Sequence, residues 1–256
     1  MQLKHLYFPP GPGTKHPIPM KVFLIGATGG VGSATARRLA AKGIEVVLAG
    51  RNEEKLAGLG AELNARYVVV DATGFETLER AVAEFSPLGA VVNCAGSLLL
   101  KPAHLTNERE FRETIDLSLT TAFAAVRAGA KAMMSTGGSI VLCATAAART
   151  GLPNHEAIAA AKGGVIGLTL SAAASYAGRN IRVNCVAPGL VETPLTARIT
   201  QNEASLKASQ GMHALGRIGR PEDIASAIDW LIDPENSWVT GQVLGVDGGL
   251  GTVRAR

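Results

Sequence analysis

Val22-Phe23-Leu24-Ile25-Gly26-Ala27-Thr28-Gly29-Gly30-Val31-Gly32 is the stretch on which the reading of this chain turns. The apolar run at its start fits a buried strand, the glycines after it a tight turn, and the residues that follow from Ser33 to Lys42 a helix closed by Gly43. Glycine adopts positive φ and lets backbone come close to a ligand. The first N–H groups of a helix, with its dipole, favour a phosphate. Strand, glycine turn and helix together therefore outline a pyrophosphate cradle. Its spacing, Gly26, Gly30 and Gly32, is GxxxGxG and not the commoner GxGxxG.

Working outward, Glu45 to Ala49 reads as a second strand, which completes a βαβ unit. In such units an acidic residue about 20 positions past the turn binds a ribose 2′-hydroxyl, whereas an arginine accommodates a 2′-phosphate. Here the strand ends Gly50-Arg51 with no carboxylate beside it, which favours NADP(H) over NAD(H). The alternation goes on: strand Tyr67 to Val70 ending at Asp71, helix Phe75 to Phe85, strand Ala90 to Val92 ending in Asn93-Cys94-Ala95-Gly96, and one long helix from about Glu108 to Met134. Strand Ile140 to Cys143, an alanine-rich helix from about His155 to Ala177, strand Arg182 to Ala187, a helix starting at Pro221 and strand Gln242 to Val246 follow. This pattern predicts an α/β fold with a doubly wound, mostly parallel seven-stranded sheet in a single domain, residues 21–256. Ligands of such sheets lie outside the carboxyl ends of the strands, where Asp71, Asn93, Thr145 and Pro188 fall. Leu190 to Gly219 shows no clear element and reads as a substrate loop.

At 256 residues, 47% hydrophobic and 18% charged, the chain has enough apolar residues for a full core. Its net charge is +4, but the charges are interspersed and aromatics amount to only 4%, which argues against a nucleic-acid surface. The three cysteines, Cys94, Cys143 and Cys185, form no CxxC pair, and the histidines are scattered. That pattern predicts no metal site and suits free thiols in a reducing compartment, with a cytoplasmic location. No apolar run reaches the roughly 20 residues of a membrane span, so no membrane partner is expected. Residues 1–20, proline-rich and without an acidic residue, read as an N-terminal extension, with Met20 as an alternative start.

The ordered motifs resemble the short-chain dehydrogenase/reductase family over residues 21–250. They are the glycine turn, Asn93-Cys94-Ala95-Gly96, Ile181-Arg182-Val183-Asn184-Cys185-Val186-Ala187-Pro188-Gly189 with Thr193, Gly219-Arg220-Pro221-Glu222-Asp223, and Trp238-Val239-Thr240-Gly241-Gln242 with Val246-Asp247-Gly248-Gly249. The resemblance implies an NADP(H)-dependent oxidoreductase acting on a small carbonyl or alcohol, assembled as a homodimer or homotetramer. It places Gly26, Thr28, Gly30, Val31 and Gly32 at the pyrophosphate, Arg51 at the 2′-phosphate, and Asp71 with Ala72 at the adenine. Asn93, Ala95 and Gly96 would form the central wall, and Pro188, Gly189, Val191 and Thr193 the nicotinamide end.

The family's active site is an Asn-Ser-Tyr-Lys set in which the tyrosine, one helical turn before the lysine, protonates the carbonyl oxygen. Lys162 matches the lysine, but the resemblance then puts Ile158 in the tyrosine place, Thr145 in the serine place and Ser118 in the asparagine place. None of the three tyrosines, Tyr7, Tyr67 and Tyr176, precedes a lysine by one turn. Isoleucine can neither donate nor accept a proton. Thr145 can orient a carbonyl, Lys162 can donate in its charged form, and His155 shares a helical face with Ile158 and Lys162 and carries an imidazole that can exchange a proton; a helix-start role for His155 is the simpler reading. Besides a reductase with a substituted proton donor, the sequence thus admits a dinucleotide-binding sensor or scaffold without turnover, or non-redox chemistry in the same pocket. Because no periodic apolar face in residues 1–19 calls for burial, deleting them leaves the melting temperature and NADPH affinity unchanged; a large drop in either would show the segment docked.

Overall fold

A computed structural model of the chain describes residues 20–253. Its strands are β1 (Lys21–Ile25), β2 (Glu45–Gly50), β3 (Tyr67–Val69), β4 (Ala90–Asn93), β5 (Gly138–Cys143), β6 (Ile181–Pro188) and β7 (Val243–Val246). They form one seven-stranded sheet in the order β3-β2-β1-β4-β5-β6-β7, and every pairing is parallel, so the sheet is wholly and not just mostly parallel. The strand order reverses direction between β1 and β4, where a doubly wound sheet opens its crevice.

The helices are α1 (Gly30–Ala41), α2 (Glu53–Leu63), α3 (Phe75–Glu84), α4 (Glu108–Ile115), α5 (Thr121–Met133), α6 (Glu156–Tyr176), α7 (Ala197–Thr200), α8 (Glu203–Met212) and α9 (Pro221–Ile232). Both sheet faces are covered. Side chains such as Phe23, Val91, Ile140 and Val183 share one core with residues of α3, α5 and α6, while Leu24, Val92, Val141 and Val186 share the other with residues of α1, α2 and α9. This alternation along each strand is the period of two that a parallel sheet buried on both faces requires.

Several local departures from the sequence reading have physical causes. The first helix starts at Gly30, inside the glycine run, because glycine has the lowest helix propensity of the non-proline residues and hides a helix start that backbone geometry permits. Residues 53–63, to which periodicity assigns no element, form α2, capped by the Asn52 side chain accepting from the Lys55 N–H (2.9 Å). The segment 190–219 is not irregular: a 3₁₀ turn at Pro194–Thr196, α7 and α8 occupy most of it, and Asn202 caps α8 by accepting from Ser205 N–H (2.9 Å). The long helix predicted over residues 108–134 is α4 and α5 joined by a π-helical turn, Asp116–Thr120. Helix α6 and its extension, Glu156–Arg179, are long and apolar enough to cross a membrane by composition, although alanine supplies much of that apolarity. In the fold α6 lies on the sheet, burying Ile158, Ala161, Lys162, Val165, Thr169 and Ala172. The N-terminal extension, apart from Met20, lies outside the described residues.

Two polar devices fasten the late elements to the sheet. Asn184 on β6 is fully buried; its Nδ2 donates to Val239 O (2.9 Å) and its Oδ1 accepts from Gln242 N–H (2.9 Å), which sets the approach to β7. Arg182 donates to Leu231 O (2.8 Å) and Asp233 O (3.2 Å), satisfying carbonyls at the end of α9, and to Val239 O (3.1 Å) in the segment before β7. Replacing Asn184 by alanine orphans a donor and an acceptor together. The expected cost is about 2–4 kcal/mol in urea unfolding, with an unchanged m-value.

Candidate active site

The crevice between β1 and β4 opens into a cleft of about 680 Å³. Its floor is the glycine turn. Gly26 sits at φ +74°, and a Cβ built there would lie 2.6 Å from Ala95 N and 2.8 Å from Cys94 C, so the turn and the end of β4 meet backbone to backbone. Gly32 is equally confined, because its Cβ would strike the Gly26 carbonyl oxygen. At Gly30 a Cβ would come within 2.6 Å of Thr193 Cγ2, so the loop after β6 closes over the turn. Helix α1 carries no acidic residue in its first turn, which leaves its positive end open to an anion. A cradle that any Cβ would fill, at a helix N-terminus, fits a pyrophosphate.

Of the residues expected at a cofactor, Gly26, Thr28, Gly30, Val31, Gly32, Arg51, Asp71, Ala72, Ala95, Gly96 and Thr193 all line this one cleft. Asn93 is buried behind it: its Oδ1 accepts from Ala95 N–H (3.0 Å) and its Nδ2 donates to Thr121 Oγ1 (3.4 Å), so it shapes the wall without forming it. Pro188, Gly189 and Val191 lie beyond this lining. Gly189 packs on His213 instead, and Val191 is buried in a bridge to Gly219. Periodicity misses Leu117, Thr121 and Leu195, which also line the cleft. The π turn accounts for the first two, since it lies at and beside these residues where an unbroken helix is expected.

Arg51 and Asp71 mark the far end. The Thr73 backbone N–H holds the Asp71 carboxyl below its usual range against the opposing effect of burial, helped by the Thr73 hydroxyl and the Arg51 charge. Both bonds fall on Asp71 Oδ1, and Arg51 forms no ion pair among the described residues.

At the other end Lys162 is 6% exposed, and its Nζ donates to Cys143 O (2.7 Å). A Cβ on Gly96 would lie 3.1 Å from that Nζ, so the ammonium stands directly behind the cleft wall. Burial pulls its pKa down, opposed by the nearby Cys143, Cys185 and Cys94 thiols. Ile158, one turn earlier, is 3% exposed and puts hydrocarbon there. Thr145 Oγ1 accepts from Ala147 N–H (3.3 Å) at the start of the 3₁₀ turn Ala146–Ala148, which leaves its hydroxyl hydrogen free to donate. Ser118, in the π turn, is 1% exposed and its Oγ lies 3.4 Å from Ser97 Oγ. His155 starts α6, and its Nδ1 is 2.8 Å from Pro153 O. None of Thr145, Ser118, His155 and Lys162 lines the cleft itself.

A wholly parallel sheet with this order and a cleft at its switch point define a Rossmann-type fold. The family profile described as "Enoyl-(Acyl carrier protein) reductase" matches residues 26–251, and the chain belongs to the short-chain dehydrogenase/reductase family. It is 35% identical over 230 residues to the 3-oxoacyl-acyl-carrier-protein reductase FabG of Rickettsia bellii, covering 89% of this chain and 95% of that protein. It is 37% identical over 245 residues to the trans-4-hydroxycyclohexanecarboxylate dehydrogenase of Sinomonas cyclohexanicum, covering 90% and 92%. Among solved structures, a short-chain type dehydrogenase/reductase from Mycobacterium ulcerans superposes with a TM-score of 0.86 at 32% identity, covering 92% and 91%.

Gly26 and Gly43 have nearly the same φ, +74° and +75°, but nothing surrounds a Cβ at Gly43. Gly43→Ala is therefore expected to cost only the left-handed strain, about 1–2 kcal/mol. Gly26→Ala adds a backbone clash and is expected to cost about 3 kcal/mol or more. Equal urea midpoints for the two variants would contradict the crowding described here.

Proposed function

We propose that this protein is an NADP(H)-dependent oxidoreductase of small carbonyl or alcohol substrates with a substituted proton donor. One observation carries the reading: the glycine floor, Arg51 and Asp71 line a single cleft, and the Lys162 ammonium stands behind its wall at Gly96, a set of groups that suits a phosphorylated dinucleotide. The α1 turn would hold the pyrophosphate, Arg51 the 2′-phosphate through a charge-assisted bond, and the free oxygen of Asp71 an adenine amine. Such a cofactor supplies hydride. The protein then has to orient a carbonyl oxygen and deliver a proton to it.

Thr145 has a hydroxyl hydrogen to spare and can hold the substrate oxygen, but an alcohol is too weak an acid to protonate it. Ile158 in the tyrosine place supplies nothing. Lys162 is the charged donor nearest the wall, and its burial lowers the cost of giving up a proton. His155 and a water relayed to Lys162 are the other sources. The ring of His155 is anchored at Pro153, which suits a helix-start role more than a catalytic one. The free thiols fit the reducing cytoplasm, and the exposed Phe111, Phe123 and Leu170 on α4, α5 and α6 fit a homodimer or homotetramer formed through these helices.

A second reading has its own observation. Ile158 and Lys162 are both closed off from the cleft, which suits a dinucleotide-binding sensor or scaffold that never turns over. Titrating the purified protein with NADPH and then adding a carbonyl and alcohol panel separates the two: binding with turnover supports the reductase, binding without turnover the sensor. Equal affinity for NADPH and NADH would refute the cofactor assignment. Arg51→Ala is expected to weaken NADPH by about 1.5–3 kcal/mol and leave NADH unchanged. In an active enzyme Lys162→Met is expected to lower kcat about 10²–10⁴-fold, while His155→Ala stays within a few-fold; a loss of the larger size in His155→Ala would make histidine the donor.

A further inference from the structure

Cys94 and Cys143 are the side chains near the site to which the mechanism gives no task. The β4–β5 register ends at the pair Asn93 and Leu142, and Cys94 and Cys143 are the residues that follow it on the two chains. Neighbouring strands run about 4.8 Å apart, inside the Cα separation of about 4.4–6.8 Å that a disulfide spans. Both side chains point to the α1/α9 side of the sheet, and their sulfurs are in contact at 4.0 Å. Cys185, the remaining cysteine, belongs to the core on the opposite face.

Each member of the pair is tied to one end of the site. Cys94 lines the cleft, and its carbonyl carbon lies 2.8 Å from where a Cβ on Gly26 would sit, so it supports the glycine turn from below. Cys143 gives its carbonyl oxygen to Lys162 Nζ. Moving either backbone disturbs a part of the site that has no slack.

We propose that Cys94 and Cys143 form an oxidisable dithiol, a modification site whose conversion to a disulfide lowers the affinity of the cleft for its dinucleotide. The thiolate of Cys143 attacks one oxygen of a hydroperoxide, breaking the O–O bond. The sulfur becomes a sulfenic acid, and the other oxygen leaves as water or alcohol after taking a proton. Cys94 sulfur then attacks the sulfenic sulfur, the S–S bond forms, and the hydroxyl leaves with the Cys94 proton as water. Two electrons pass from the two thiols to the peroxide. The chemistry of the pair supports this order. The hydrogen bond with Cys94, and then the Lys162 charge, hold the Cys143 thiol below its ordinary range despite burial, while that hydrogen bond and burial hold Cys94 well above it. Cys185, pushed up to about 12 mainly by burial, is no competitor. Closing the sulfurs from contact to a bond of about 2.05 Å draws the ends of β4 and β5 together, under the glycine turn and behind Lys162. By reciprocity, bound dinucleotide must then slow or oppose the bridging.

The weakened affinity rests on reading the cleft as a dinucleotide site; the bridge does not. The full chain, free of dinucleotide, is treated with hydrogen peroxide, alkylated, and mapped by peptide mass. The expected result is a Cys94–Cys143 linked peptide, about 2 Da lighter than the reduced pair, that dithiothreitol reverses, with Cys185 remaining a thiol. NADPH titrated into the oxidised protein is expected to bind about tenfold or more weakly, dithiothreitol to restore it, and prior saturation with NADPH to suppress the bridge. Cys143→Ala is expected to lose both the linked peptide and the peroxide-induced weakening, and Cys185→Ala to keep both. Separate sulfinic acids on Cys94 and Cys143 without a link would overturn the proposal, as would a bridged protein with unchanged NADPH affinity. Equal peroxide sensitivity of NADPH binding in Cys143→Ala would do so as well. A reduced protein that bridges under peroxide but never bound NADPH would instead refute the dinucleotide reading of the cleft and, with it, the effect on affinity, leaving the bridge standing.

Discussion

The backbone of Gly26 passes so close to the backbone of Cys94 and Ala95 that no Cβ fits between them. Much of the molecule depends on that approach. It joins the ends of β1 and β4, the strands between which the sheet reverses its winding, and it directs α1 outward with its N-terminus over the crevice. Thr193 seals the turn from the other side against Gly30. Three chain segments far apart in sequence therefore meet at Gly26 and Gly30, where a side chain would not fit. A phosphate-sized anion can be held there by backbone N–H groups alone.

A second close approach organises the other half of the site. Helix α6 comes near the π turn because Gly164 has no side chain where Leu119 packs; a Cβ there would lie 2.8 Å from Leu119 Cδ2. The same helix turns Lys162 beneath Gly96, and the Cys143 carbonyl fixes its ammonium. The lysine is thus held by β5 and by the helix that carries it, with hydrocarbon from Ile158 beside it. That is a rigid position for a charge and a poor one for proton relay through side chains. It is why the chemistry proposed for this site leans on Lys162 and Thr145, and why binding without turnover is its rival.

The late motifs act mainly on architecture. Asn184 and Arg182 spend their hydrogen bonds on carbonyls and N–H groups before β7. Asp247 accepts from Gly249 N–H (3.0 Å) and Gly251 N–H (3.1 Å), which closes a turn over residues 247–251. His213 accepts from Leu190 N–H through Nε2 (3.2 Å) and contacts Ser209 O through Nδ1 (2.6 Å), so it fastens α8 to the loop after β6. Gly189 packs on His213 in this fastening.

The alternation of apolar runs with helical stretches determined the fold class, the sheet and the place of the crevice, because burial on both faces and the carboxyl-edge rule follow from pattern alone. Glycine spacing and Arg51 likewise pointed to the cleft, since both act through local backbone and charge. The tertiary structure alone decided what depends on contacts between distant segments. Helix α2 and the elements of 190–219 have caps and packing partners but little periodicity, and the π turn that sets Leu117 and Thr121 at the cleft wall has no sequence period of its own. The pairing of Cys94 with Cys143 is likewise invisible along the chain, because it arises from a register between two strands separated by α4 and α5. Periodicity records which face a residue shows to the core; it carries no record of which residue of another strand stands opposite.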